Sequence, residues 1–113
     1  MRKIFLVFGI FGLLGTTVSL QDDQAGPNTL TPTETTEGWE LLFDGQTTDE
    51  WRGFKQATMP AGWQAVDGAL TRVGEGGDIV TKATFENFDL QLEWKIETGG
   101  NSGVFFRATE DGE

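Results

Sequence analysis

Residues 88–97 alternate apolar and polar for ten positions without a break. Phe88, Leu90, Leu92, Trp94 and Ile96 share one side, and Asp89, Gln91, Glu93, Lys95 and Glu97 share the other. Side chains repeat every two residues along a strand, so the pattern predicts one long β-strand with a buried face that includes Trp94. Gly99-Gly100-Asn101-Ser102-Gly103 then predicts a tight reversal, and Val104-Phe105-Phe106-Arg107 a returning strand. A hairpin centred near Asn101 would set Glu93 and Arg107 on adjacent strands. Upstream the elements are shorter. Trp39-Glu40-Leu41-Leu42-Phe43 reads as a strand, Asp44-Gly45 as a turn, and Trp51-Arg52-Gly53-Phe54 as a short aromatic segment. Asp67-Gly68 suits a two-residue turn with positive φ at both positions, between Trp63-Gln64-Ala65-Val66 and residues 69–73. Gly74-Glu75-Gly76-Gly77 marks a second reversal before Asp78-Ile79-Val80-Thr81. Thr31 as N-cap, Pro32 at the first helical position and Glu34 three residues on predict a single helical turn closed by Gly38. Nothing else has helical spacing. The chain reads as all-β and antiparallel, with strands spaced as in a sandwich or jelly roll.

The N-terminus has a different pattern. Met1-Arg2-Lys3 is positive, residues 4–14 are an unbroken apolar or glycine run of eleven, and residues 15–19 are small and uncharged. A membrane span needs about 20 apolar residues, so this is predicted to be a secretory signal, cut after Ser19, and not a stable membrane anchor. The alternative for the same residues is a buried N-terminal strand or helix. Residues 20–37 are mostly Gln, Asp, Gly, Pro, Asn and Thr and read as a polar linker ending in the short helical turn. The chain has no cysteine, hence neither a disulfide framework nor a site for lipid attachment. Export without disulfides points to a bacterial periplasm or the extracellular space.

Charge narrows the partners. Without Arg2 and Lys3 the chain has six basic residues against eighteen acidic ones, a net of −12. That surface repels nucleic acid and anionic lipid. Solubility accounts for much of the excess, and acidic residues also suit a site for neutral sugars or a divalent cation. Residues 38–113 are few for a closed two-sheet sandwich, and this is expected to be the front of a larger domain, leaving the aromatics near Phe105 without strand partners.

Gly38-Trp39-Glu40-Leu41-Leu42-Phe43-Asp44-Gly45 followed by Trp51-Arg52-Gly53-Phe54 resembles the opening of the 3-keto-disaccharide hydrolase family, also described as 3-keto-glucoside lyases and hydratases. Gly62-Trp63, Val66-Asp67-Gly68-Ala69-Leu70, Gly77-Asp78-Ile79-Val80-Thr81, residues 88–96 and Gly100-Asn101-Ser102-Gly103-Val104-Phe105-Phe106-Arg107 continue the resemblance in order. It also takes in Asn28-Thr29-Leu30-Thr31 in the linker. It implies a concanavalin-like jelly-roll sandwich, incomplete in this chain, exported and directed at carbohydrate. The implied activity is cleavage of 3-keto-glycosides by hydrolysis or by β-elimination and hydration. The alternative class is a non-catalytic carbohydrate-binding or envelope-association module on the same sandwich.

A ketone at sugar carbon 3 acidifies the hydrogen on carbon 2, and removing that proton lets the substituent on carbon 1 leave. Such chemistry needs a base near carbon 2, an acid for the leaving oxygen, and donors for the developing enediolate. The cofactor is unknown from sequence; a divalent cation chelating the ketone and a neighbouring hydroxyl would serve as electrophile. There is no histidine, so acid and base within these residues are Asp or Glu. Glu93 is the candidate base or metal ligand, set against a solvated strand carboxylate. Arg107 is the candidate oxyanion partner, set against an edge cation in an ion pair. Asn101 and Ser102 are candidate sugar donors, set against residues that satisfy their own turn. Asp78 is a second candidate metal ligand, set against turn capping, and Trp51 a candidate stacking platform for the pyranose.

Overall fold

The computed structural model describes residues 25–112 and the backbone of residues 2–6. Among the described residues the chain is all-β but for one helical turn, as the patterning predicts. In order it contains β1 (Arg2–Leu6), α1 (Pro32–Thr36), β2 (Trp39–Leu41), β3 (Trp51–Gly53), β4 (Trp63–Val66), β5 (Ala69–Arg72), β6 (Ile79–Thr81) and β7 (Phe88–Leu92). They form a three-stranded sheet ordered β2-β1-β7 and two two-stranded sheets, β3-β6 and β4-β5.

The most local signals are realised most closely. In β4–β5, Trp63 faces Arg72 and Val66 faces Ala69, with Asp67 at φ 50° and Gly68 at φ 74° in the turn. Positive φ at both central residues matches the right-handed twist of the flanking strands, which is why Asp-Gly closes this hairpin. Thr31 caps α1: its Oγ1 accepts from the Glu34 N–H (3.1 Å), and the Glu34 carboxylate accepts from the Thr31 N–H (2.7 Å). Gly38, at φ 87°, ends the turn in the left-handed conformation. Asp44 accepts from the N–H groups of Thr47 (2.7 Å) and Gln46 (2.8 Å), which hold its carboxyl below the usual range.

The expected linker is partly a docked segment. Asn28, itself at φ 57°, donates from Nδ2 to the Gly68 carbonyl (2.7 Å) and so pins the β4–β5 turn. Its Oδ1 is buried with no partner. A side chain on Gly45 would meet Asn28 Nδ2 at 2.9 Å, so Gly45 leaves the room that Asn28 occupies. Asn28→Ala should lower stability by about 1–2 kcal/mol by leaving the Gly68 carbonyl unpaired. Denaturant unfolding followed by tryptophan fluorescence checks this, and an unchanged midpoint would contradict it.

Two expectations of strand architecture are corrected. The pairings are not all antiparallel: β1 runs parallel to both β2 and β7, with Ile4 aligned with Glu40 and with Leu90. The rest of the expected leader, residue 1 and residues 7–19, lies outside the described residues. The long strand over 88–97 stops at Leu92, and Trp94, expected in the core, is 65% exposed. Leu92 is aligned with Leu6, the last residue of β1, and among the described residues no strand pairs with residues 93–97. Alternation marks a strand only where a neighbour takes its backbone groups.

The core is compact. Leu42, Phe43 and Leu70 are buried together, with Trp51, Met59, Trp63, Ala65, Ile79, Phe85, Leu90 and Leu92 packed around them. Phe85 meets Phe88 edge to face, with centroids 6.5 Å apart.

Candidate functional site

Trp51 leads β3, which pairs with β6 through Trp51–Thr81, Arg52–Val80 and Gly53–Ile79. Its indole N–H donates to the Leu42 carbonyl (2.6 Å), and its ring packs on the core cluster. The polar edge of Trp51 is thus committed to the interior. Asp78 stands just before β6; its carbonyl accepts from the Phe54 N–H (2.9 Å), which extends the ladder, and its side chain is exposed.

Glu93 follows the end of β7 and is exposed. Glu97 and Gly100 close a turn (N–H to carbonyl, 2.9 Å) with Gly99 at φ 77°, so a reversal forms where the glycines predict it. The returning strand does not form. Asn101, Ser102 and residues 104–107 are extended or bent, unpaired and exposed, with Phe105 82% and Phe106 70% open to solvent. Arg107 sits at φ 56°, a left-handed conformation that does not continue a strand. Neither the hairpin centred near Asn101 nor the adjacent placement of Glu93 and Arg107 is realised. Among the described residues no three histidine, cysteine, aspartate or glutamate side chains come together, so Asp78 and Glu93 belong to no ready-made cation site.

What the fold does assemble is a clamp that patterning left unmarked. Arg52 and Glu110 form a two-point ion pair, Nη1 to Oε1 and Nη2 to Oε2, each 2.7 Å. The Lys55 N–H donates to the same Oε1 (2.5 Å), and Lys55 Nζ reaches the Gly112 carbonyl. Local geometry explains the convergence. Gly53 and Gln56 close a turn (3.0 Å) with Lys55 at φ 56°. That turn uses neither central N–H: Phe54 gives its own to Asp78, and Lys55 points its own at Glu110. Arg52 Nη1 also rests on the Gly53 and Gln56 carbonyls (3.3 Å each), which orients the guanidinium. Only the acidic C-terminus and the arginine in Trp51-Arg52-Gly53 were visible in the sequence, and 58 residues separate the partners.

The Arg52 guanidinium, then the Lys55 N–H, hold the Glu110 carboxyl down at about 2. A depressed carboxylate contributes stability that is present above its unfolded value near 4.5 and lost as pH falls through about 2. Residues 108–112 should therefore stay docked at pH 5–7 and release between about pH 4 and 2. The 15N relaxation of those amides against pH measures it, and release already at pH 6 would contradict the pairing.

Residues 38–113 match the family described as 3-keto-alpha-glucoside-1,2-lyase-like domain. The chain belongs to that family. An 83-residue stretch is 37% identical to the 3-keto-disaccharide hydrolase of Bacteroides thetaiotaomicron, covering 66% of this chain and 29% of that protein. The chain thus spans less than a third of the length of that relative. Every candidate residue named above, and all three members of the clamp, fall inside the matched 3-keto-alpha-glucoside-1,2-lyase-like segment.

Proposed function

We propose that this chain supplies the front of an exported carbohydrate-active domain that cleaves 3-keto-disaccharides or 3-keto-glucosides. The observation that carries the proposal is the family match over residues 38–113, supported by the likeness to a relative named 3-keto-disaccharide hydrolase. The strands from β2 to β7 are taken as part of a concanavalin-like jelly roll, and the charged-then-apolar N-terminus as the signal that exports it to the periplasm or beyond, so that β1 belongs to the precursor and leaves with the signal.

In the proposed site the Glu93 carboxylate takes the proton from sugar carbon 2, acidified by the ketone at carbon 3. The electron pair left on carbon 2 moves into the carbon 1–carbon 2 bond as the carbon 1 substituent departs, its oxygen taking the proton that Glu93 has just removed. Arg107 places paired donors against the negative charge that develops on the carbon 3 oxygen. Asn101 and Ser102, exposed in the segment between them, hydrogen-bond sugar hydroxyls. Water then adds across the double bond. In direct hydrolysis, by contrast, water displaces the substituent at carbon 1 and carbon 2 keeps its hydrogen. Among the described residues the donors do not assemble a cation site, and no step is routed through a metal.

Incubation of the protein with a 3-keto-disaccharide in deuterium oxide, followed by NMR of the products, tests this. Cleavage with deuterium at carbon 2 of the product alone supports elimination and hydration; cleavage without it supports hydrolysis. Binding of the 3-keto-sugar with no cleavage would favour a carbohydrate-binding module and sink the enzymatic proposal.

A further inference from the structure

We infer that Arg52 is a positioning residue, whose hold on Glu110 fixes the segment bearing Arg107. The inference rests on the proposed role of Arg107 at the sugar. Among the described residues, the hydrogen bonds tying residues 93–112 to the rest of the chain end on Glu110 and Gly112 and come from Arg52 and Lys55. Everything between Leu92 and Glu110 is unpaired by strands, and most of it is exposed. Glu110 stands three positions after Arg107, and three residues of extended chain span at most about 10 Å. Clamping the Glu110 carboxylate therefore confines Arg107 to a small region beside β3, where a free arm would let it wander.

The choice of arginine follows from the geometry. A guanidinium grips both oxygens of a carboxylate in one plane and fixes its orientation as well as its distance; an ammonium grips as a point charge. Successive strand residues face opposite sides, so Trp51 enters the core while Arg52 faces outward on the side of its cross-strand neighbour Val80. The strand is thus anchored on one face and holds the arm on the other. The expected strand pairing of Arg107 with the Glu93 segment is replaced by this attachment to β3.

The test uses the full chain with Arg52→Lys, Glu110→Gln and the exchanged pair Arg52→Glu with Glu110→Arg. Fast backbone motion of residues 104–112, read from 15N relaxation, should rise in both single variants and fall back in the exchanged pair, with the β4–β5 hairpin unchanged in all. On a 3-keto-disaccharide the single variants should lose kcat by about tenfold with KM little altered, since a loosened Arg107 is lost most where charge develops. Arm motion at the wild-type level in Arg52→Lys and Glu110→Gln would overturn the clamp. A loosened arm with wild-type kcat would overturn the positioning role. No turnover by the unaltered chain would count against the proposed function alone, because arm motion judges the clamp without it.

Discussion

Gly62→Ala should be among the most damaging single substitutions in the chain, lowering stability by about 3 kcal/mol or abolishing the cooperative transition. A Cβ at Gly62 would lie 1.9 Å from the Glu75 carbonyl oxygen and 2.5 Å from its carbon, where real contacts stay above 3.0 Å. These are backbone atoms, so no side chain can swing away. The carbonyl of Gly62 accepts from the N–H groups of both Val73 (2.7 Å) and Gly74 (3.2 Å), and the Trp63 indole N–H reaches the Gly77 carbonyl (2.9 Å). Moving residues 74–77 aside by about 1 Å breaks all three and separates the β4–β5 hairpin from the strand that follows. Gly74→Ala is the control, since its Cβ would find its nearest neighbour at 3.8 Å and its φ is not in the left-handed region. It should change stability by less than about 0.5 kcal/mol. Urea unfolding of both variants decides the matter, and equal midpoints would show that residues 74–77 yield at no cost.

The contrast between these glycines bears on what could be read from the chain. Asp67-Gly68 announced its turn because two adjacent residues in positive φ are a local demand that few other residues meet. The capping box at Thr31 and Glu34 was equally legible, its partners being three residues apart. Gly62, Asn28 and Arg52 were not. Each acts on a segment far along the chain: Glu75, Gly68 and Glu110. Periodicity carries no such distances. It erred where it was most regular, because the alternation over 88–97 specifies a face and not a partner. With no strand neighbour beyond Leu92 among the described residues, Trp94 and Ile96 remain outside. The parallel seat of β1 between β2 and β7 was illegible for the same reason, since a parallel pair leaves no tight turn in the sequence to mark it. Residues 99–103 did yield a turn, but Arg107 at φ 56° was beyond any pattern of apolar and polar positions.

Glu93→Gln should reduce turnover of a 3-keto-disaccharide by at least about a hundredfold, the loss expected when a general base is removed. The amide keeps the size and hydrogen-bonding shape of the carboxylate and cannot take a proton from sugar carbon 2. Stability should move by less than about 0.5 kcal/mol, because Glu93 is exposed, lies beyond the end of β7 and has no ion-pair partner among the described residues. Arg107→Lys should cost a similar factor in kcat for a different reason. The charge survives, but the planar pair of donors that would meet an enediolate does not. Its left-handed backbone is no harder for lysine than for arginine, so folding should again be unaffected. The two substitutions should also be less than additive, since a base and an electrophile acting in one proton transfer are lost as a unit. Were both residues merely solvated charges, each variant would turn over substrate at the wild-type rate. Steady-state kinetics on the two single variants and the double variant separates these outcomes, and full activity in Glu93→Gln alone would move the base to another carboxylate.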